Sequence, residues 1–294
     1  MSYSNVVKDA LKRCAKGSAM NANPKLWNCT NEEYHGDSTH VSHSSLDCLI
    51  ASQVLYHGKY VTGIFPQETT PAMEFGTMFH GWTLEKRVPI VAPKCDRRTK
   101  EGKEQYAAFL NAAKGKPVID EKDNAMALAM IDGINANPAA KFLLDHPGEI
   151  EQGVRWTCSE TGILLKCRPD KFITDRRLVI DLKTCVDSSP EGFARSAYAF
   201  GYHRQAALYI DGMMELTGEQ FGFMFIAVQK TAPFSCLVCK LDDAFVEQGR
   251  TENLAGLAKL KRCRETNQWT EDHHGLVVTL PAPRWAKYAN EYEV

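Results

Sequence analysis

The chain has 294 residues, 44% of them apolar and 24% charged, with a formal net charge of -1. Its length does not limit the core, and the composition excludes a disordered or fibrous protein. With almost no net charge, any nucleic-acid contact must come from a local basic groove rather than a global field.

No stretch has the pattern of a signal peptide, and no apolar run approaches membrane-spanning length. The expectation is a cytoplasmic protein with no membrane partner. Ten cysteines are scattered without a small-scaffold framework, as reduced thiols would be.

Residues 1–41 are the least legible, with a short amphipathic helix expected over 4–16 and polar loop to 40. Residues 42–60 place Leu46, Leu49, Ile50, Val54 and Leu55 at helical spacing behind a serine cap. Residues 70–87 predict a helix opened by Pro71 and filled by Met73, Phe75, Met78, Phe79 and Trp82. Within it, Gly76-x3-His80 puts a residue without a side chain one turn before a histidine, allowing a backbone or ligand to come close. A packing glycine beside a hydrogen-bonded core histidine has the same pattern.

A basic run follows, Lys94, Arg97, Arg98, Lys100 and Lys103, entering a helix with Tyr106, Phe109 and Leu110. Such a run is a solvated face or a surface that tracks phosphates. Residues 120–144 read as one helical stretch ended by His146-Pro147-Gly148. Strands are expected over 150–158, 162–168 and 177–182, then a helix opened by Ser189-Pro190 and another over 202–216. Strands over 221–229 and 234–241 precede a long helix over 245–266, capped by Asp242 and ending in Lys259, Lys261, Arg262 and Arg264. The tail is aromatic and broken by prolines. With no repeat or linker, one domain over 42–283 is expected, between an N-terminal segment (1–41) and a tail (284–294).

The chemistry concentrates in residues 149–183. The apolar strand at 177–182 ends in Asp181-Leu182-Lys183, and alternation sends Asp181 and Lys183 to one side and Leu182 to the core. Pro169-Asp170 closes the preceding predicted strand and adds a second carboxylate if those two strands pair as a hairpin. Two carboxylates and an ammonium at a sheet edge form a hard-cation site with a group to position a nucleophile. Standing alone, the pattern also fits a strand that ends in a surface ion pair.

Asp-x10-Asp-x-Lys behind a Pro-Asp resembles the signature of the PD-(D/E)xK nucleases. Gly-x3-His, that signature and Gln205-x3-Tyr209 fall in the order of the RecB-like branch. The likeness is nearest to RecE-type (exonuclease VIII) nuclease domains and covers residues 42–283. FGTMFH, the CRPD approach, IDLKT and YHRQAALYIDG carry it. Ala51-Ser52-Gln53 and Gln229 depart from the pattern, away from the metal residues.

The resemblance implies an α/β fold with a central mixed sheet flanked by helices and a helical N-terminal extension. It implies Mg²⁺, with Mn²⁺ as substitute, bound by His80, Asp170, Asp181, the Leu182 carbonyl and Glu151, Glu149 standing two residues from the last. Lys183 would orient or deprotonate the attacking water, Gln205 would contact DNA near the scissile phosphate, and Tyr209 would brace its helix. Arg97, Arg98 and Lys100 are the candidate DNA-binding cations.

The implied activity is resection of linear double-stranded DNA from its ends, 5′ to 3′, leaving 3′ overhangs for a single-strand annealing protein. A homo-oligomeric ring is the implied assembly. A structure-specific or Cas4-like endonuclease of the same fold, or an inactive DNA-binding relative, are the alternatives. Cys236-x2-Cys239, with Cys263 and Cys14 or Cys29, is spaced too loosely for an iron–sulfur cluster. The absence of GxxxxGK[ST] leaves no ATP site of the P-loop type.

Overall fold

The computed structural model describes residues 24–66 and 68–283. The helix expected over 4–16 and the tail 284–294 lie outside them. A mixed five-stranded sheet organises the fold, in the order β10 (Cys236–Cys239), β9 (Gly222–Gln229), β8 (Leu178–Cys185), β7 (Lys171–Ile173), β4 (Glu149–Ile150). β8 and β9 run parallel, from Leu178 opposite Gly222 to Cys185 opposite Gln229; the other neighbours are antiparallel. A parallel pair needs a crossover, supplied here by α8 (Pro190–Ala199) and α9 (Tyr202–Thr217). β1 (Lys25–Trp27), β5 (Gly153–Thr157) and β6 (Leu164–Cys167) form a second, antiparallel sheet. β2 (Ile90–Val91) pairs with β3 (Val118–Ile119).

Both faces of the central sheet are covered. Ile180 and Leu182 of β8 and Ile226 and Val228 of β9 join one core with Phe79 of α4 (Pro71–Glu85). Met130 and Ile134 of α6 (Glu121–Ala136) and Leu143 of α7 (Pro138–Asp145) complete that side. Val179, Phe223 and Phe225 face a second core with Ala206, Tyr209 and Met213 of α9. It also takes Leu46 and Leu49 of α2 (His43–Ala51) and Leu257 and Leu260 of α10 (Asp243–Thr266). The period of two predicted for this strand puts Asp181 and Lys183 on the α9 side, where polar groups would be costly without partners.

Several expected boundaries move for identifiable reasons. Residues 42–60 are not one helix. α2 stops at Ser52 (φ -162°), whose hydroxyl then caps α3 (Gln53–Tyr56), and a π-helical turn follows over His57–Val61. Residues 120–144 divide at Asn137, whose side chain accepts from Ala139 and Ala140 while Pro138 opens α7. The predicted strand 150–158 breaks at Glu151, which has φ 54° and leaves β4 and β5 in different sheets. The strand expected over 162–168 is β6; it pairs with β5 and is not the hairpin partner of β8. That partner is the three-residue β7, with Lys171 opposite Ile180. The strand 234–241 shortens to β10.

α1 (Asn31–Gly36), which has a capping box on Thr30, precedes α2. α5 (Lys100–Ala113) takes in the end of the basic run, Lys100 and Lys103, behind the Thr99 cap. Among the described residues no helix is long and apolar enough to cross a membrane.

Candidate metal centre

The antiparallel register of β7 on β8 continues one step beyond Lys171 and Ile180, so Asp170 and Asp181 come side by side. Asp170 Oδ2 accepts the Leu182 N–H at 2.7 Å. Leu182 makes no ladder bond to β7, which ends there. In a strand the N–H and C=O of one residue leave on the same edge, so the Leu182 carbonyl is directed toward the same place.

α4 carries His80 alongside, its Nδ1 3.4 Å from Asp170 Oδ2. Glu151 arrives from the break between β4 and β5, its N–H donating to the Asp170 carbonyl at 3.1 Å. One ligand atom each from His80, Glu151 and Asp170 lie within 4.8 Å of one another. Because Glu151 stands at a left-handed residue rather than in a continuous strand, it does not share a face with Glu149, which is exposed in β4.

Asp181 is held from the other side. Lys183 Nζ lies 2.5 Å from its Oδ1, and Gln205 Nε2 donates to its Oδ2 at 2.5 Å. Gln205 is buried and engaged with this carboxylate. Tyr209, one turn further along α9, is buried against the Phe223 ring at 6.0 Å. The Lys183 ammonium also lies 4.8 Å from the Tyr202 ring centroid.

The charges respond to this crowding. Burial, with the Asp170 charge, raises Glu151 to about 7 against the pull of Arg168. Burial, again with Asp170, raises Asp181 to about 6 although Lys183 opposes it. Burial works against ionised Asp170, but His80, Lys183 and the Leu182 N–H together hold it below its ordinary value. Burial also disfavours charge on Lys183 and His80; for both, the neighbouring carboxylates prevail and the pKa rises.

These residues fit a hard divalent cation. Asp181 Oδ1 is buried and meets the Lys183 ammonium with no other partner among the described residues, so this carboxylate oxygen keeps a lone pair for a cation. Carboxylate and carbonyl oxygens suit Mg²⁺ or Mn²⁺, and the histidine suits Mn²⁺ better.

Three residues at the site escaped the sequence. Arg168 pairs with Glu151 (Nε to Oε2, 2.9 Å) and is itself held by Asn31 Oδ1 at 2.5 Å and by the Tyr34 ring at 4.9 Å. It lies in the CRPD run, two residues before Asp170, and that adjacency was its one signal. His43, at the start of α2, donates from Nε2 to the Gly201 carbonyl at 3.0 Å. Burial first, with Lys183 among the nearby charges, lowers its pKa to about 4. Tyr202 is the third, through its contact with Lys183.

The candidate DNA-binding cations stand apart from this cluster of contacts. Arg97 covers the Tyr106 ring at 4.7 Å, Arg98 pairs with Asp96 at 3.0 Å, and Lys100 lies 4.0 Å from Glu104. The space expected at Gly76 is open, with no atom of the described residues beyond its own turn of helix within 4 Å of a Cβ built there. Cys236 and Cys239 are free thiols in β10, raised to about 11 by burial.

Residues 42–274 match a protein family described as a PDDEXK-like domain of unknown function (DUF3799). No curated protein matches the chain. The solved structure of a candidate exonuclease from Eubacterium rectale is similar with a TM-score of 0.59 at 15% identity, over 90% of this chain and 99% of that one. At that identity the likeness is one of fold. A phage-related exonuclease from Haemophilus somnus aligns over 78% of this chain and 96% of its own at 13% identity, with a TM-score of 0.30 that carries no argument.

Proposed function

Because the chain belongs to this family of PDDEXK-like domains and has the fold of the PD-(D/E)xK nucleases, we propose that it is a divalent-metal-dependent deoxyribonuclease. Its substrate is the end of linear double-stranded DNA, degraded 5′ to 3′ to leave a 3′ overhang. The observation that carries the reading is the convergence of Asp170, Asp181 and Lys183 with His80 and Glu151 at the end of the β7–β8 pair. A binding module has little use for an ammonium wedged beside crowded carboxylates whose pKa values it perturbs.

His80, Asp170, Asp181, Glu151 and the Leu182 carbonyl would hold the cation, Mg²⁺ or Mn²⁺. When bound, the ion supplies Lewis acidity toward a phosphoryl oxygen and a water of lowered pKa. Lys183, raised in pKa, stays protonated, so it orients water and offsets charge on the phosphate rather than taking a proton. Tyr202 and Asp181 fix the direction of that ammonium. Gln205 holds Asp181 by its Oδ2, so its first task is to aim a ligand; contact with DNA would be in addition. Tyr209 anchors α9 in the core beneath.

A cytoplasmic setting, a homo-oligomeric ring around DNA and a single-strand annealing partner complete the proposal. Basic patches from several subunits would then supply the field that a chain of net charge -1 lacks.

The test is digestion of linear and covalently closed duplex DNA with Mg²⁺, each 5′ and 3′ end labelled separately, with Asp181→Ala alongside. Early release of the 5′ label from linear DNA alone, lost in the variant, is expected. Cutting of the closed circle would make the protein an endonuclease. Absence of cleavage with Mg²⁺ and Mn²⁺ would refute the enzymatic reading.

A further inference from the structure

We infer that Phe200 is a stacking platform for a nucleobase at the DNA end, next to the scissile phosphate. The inference rests on the nuclease reading and adds a contact to the base where the metal centre handles only phosphate. Phe200 closes α8 and is 62% exposed. Its ring lies 5.9 Å from that of Tyr202, and the Tyr202 ring lies 4.8 Å from the Lys183 ammonium. Lys183 in turn touches Asp181. An exposed aromatic side chain therefore stands one ring away from the group that would meet the reacting phosphate.

The backbone beneath this ring is pinned. Phe200 N–H donates to the Ser196 carbonyl at 2.9 Å and Gly201 N–H to the Tyr198 carbonyl at 3.2 Å. His43 holds the Gly201 carbonyl from α2. Gly201 has φ 67°, and a Cβ there would run into Arg204 and Asp47, so the turn requires glycine. An aromatic displayed to solvent from a held backbone needs less ordering when a base arrives, and such ordering is part of the cost of binding.

Two other exposed aromatic residues among those described, Tyr198 and Phe142, do not share this path. Tyr198 is as exposed but stacks on His203 at 5.7 Å and Phe245 at 6.4 Å, toward α10. Phe142 packs on His146 at 5.7 Å, at the end of α7. Stacking suits an end-degrading enzyme because every base has a π face, so the contact tolerates any sequence. The ligand is a nucleobase exposed at the DNA end, as in a frayed or single-stranded terminal nucleotide.

The experiment compares the full chain with Phe200→Ala, Phe200→Leu and Phe200→Trp in steady-state cleavage of end-labelled duplexes. A second series of duplexes carries an abasic nucleotide at each of the terminal positions in turn. Alanine is expected to raise KM by roughly 5- to 150-fold, the equivalent of one stacked base, with kcat changed far less. Tryptophan should restore KM and leucine should not. One abasic position should raise the wild-type KM and abolish the difference between wild type and Phe200→Ala. An unchanged KM in Phe200→Ala, full rescue by leucine, or a Phe200→Ala penalty that persists at every abasic position would overturn the inference while leaving the nuclease intact. A wild type that cleaves no DNA would overturn both.

Discussion

Glu151 sets up a conflict between stability and cation binding that can be measured. Its carboxyl moves from an ordinary 4.5 to about 7, chiefly by burial and then by Asp170. A raised acid binds more protons folded than unfolded between those two values. Stability therefore falls as pH rises through that window, and the full penalty is present above pH 7. At 1.36 kcal/mol per pKa unit, the metal-free protein is destabilised at pH 8 by about 3 kcal/mol relative to pH 4.5 through this one group.

Glu151→Gln removes the titration and keeps the shape. In urea unfolding with EDTA, the stability of the variant relative to wild type should rise between pH 5 and pH 8 by up to about 3 kcal/mol. Other titrating groups, the raised Asp181 included, are common to both proteins and largely cancel in the difference. Repeating the pair with Mn²⁺ should invert the order, because a cation that binds only the folded state restores the wild type more than the variant. A relative stability that stays constant within about 0.5 kcal/mol across that pH range would refute the electrostatic account of Glu151.

Arg168→Gln should weaken Mn²⁺ binding by roughly 10- to 100-fold in calorimetry, with Arg168→Lys between it and wild type, since the guanidinium orients Glu151 and lowers its pKa. Unchanged affinity would remove Arg168 from the site. Lys171 is a buried lysine whose Nζ donates to the carbonyls of Leu143 (3.0 Å), Leu144 (2.7 Å) and His146 (2.5 Å) at the end of α7. Lys171→Met leaves those acceptors without a donor and should cost about 2–3 kcal/mol in urea unfolding; a loss below about 0.5 kcal/mol would mean that water replaces the ammonium.

What the sequence determined by itself was local. Side-chain oxygens at Thr70, Asp242 and Ser189 cap α4, α10 and α8, each accepting from a backbone N–H three residues on. The period of two in β8 assigned Leu182 to the core and put Asp181 and Lys183 together on the opposite face, and both features were written in six residues. The order of the motifs pointed to the fold for the same reason, since each motif is a short run whose spacing survives without neighbours. Tertiary structure decided everything that depends on which segments meet. β6 reads as well as β7 as a partner for β8, and only packing against β5 removes it. The left-handed backbone at Glu151 divides one apolar run between two sheets and turns its carboxylate toward Asp170, and no periodicity encodes that. Arg168, His43, Tyr202 and Phe200 acquire their roles from contacts with the site or beside it, three of them through groups distant in sequence. A side chain's faces follow from its own segment, but its partners follow from the burial of all the others.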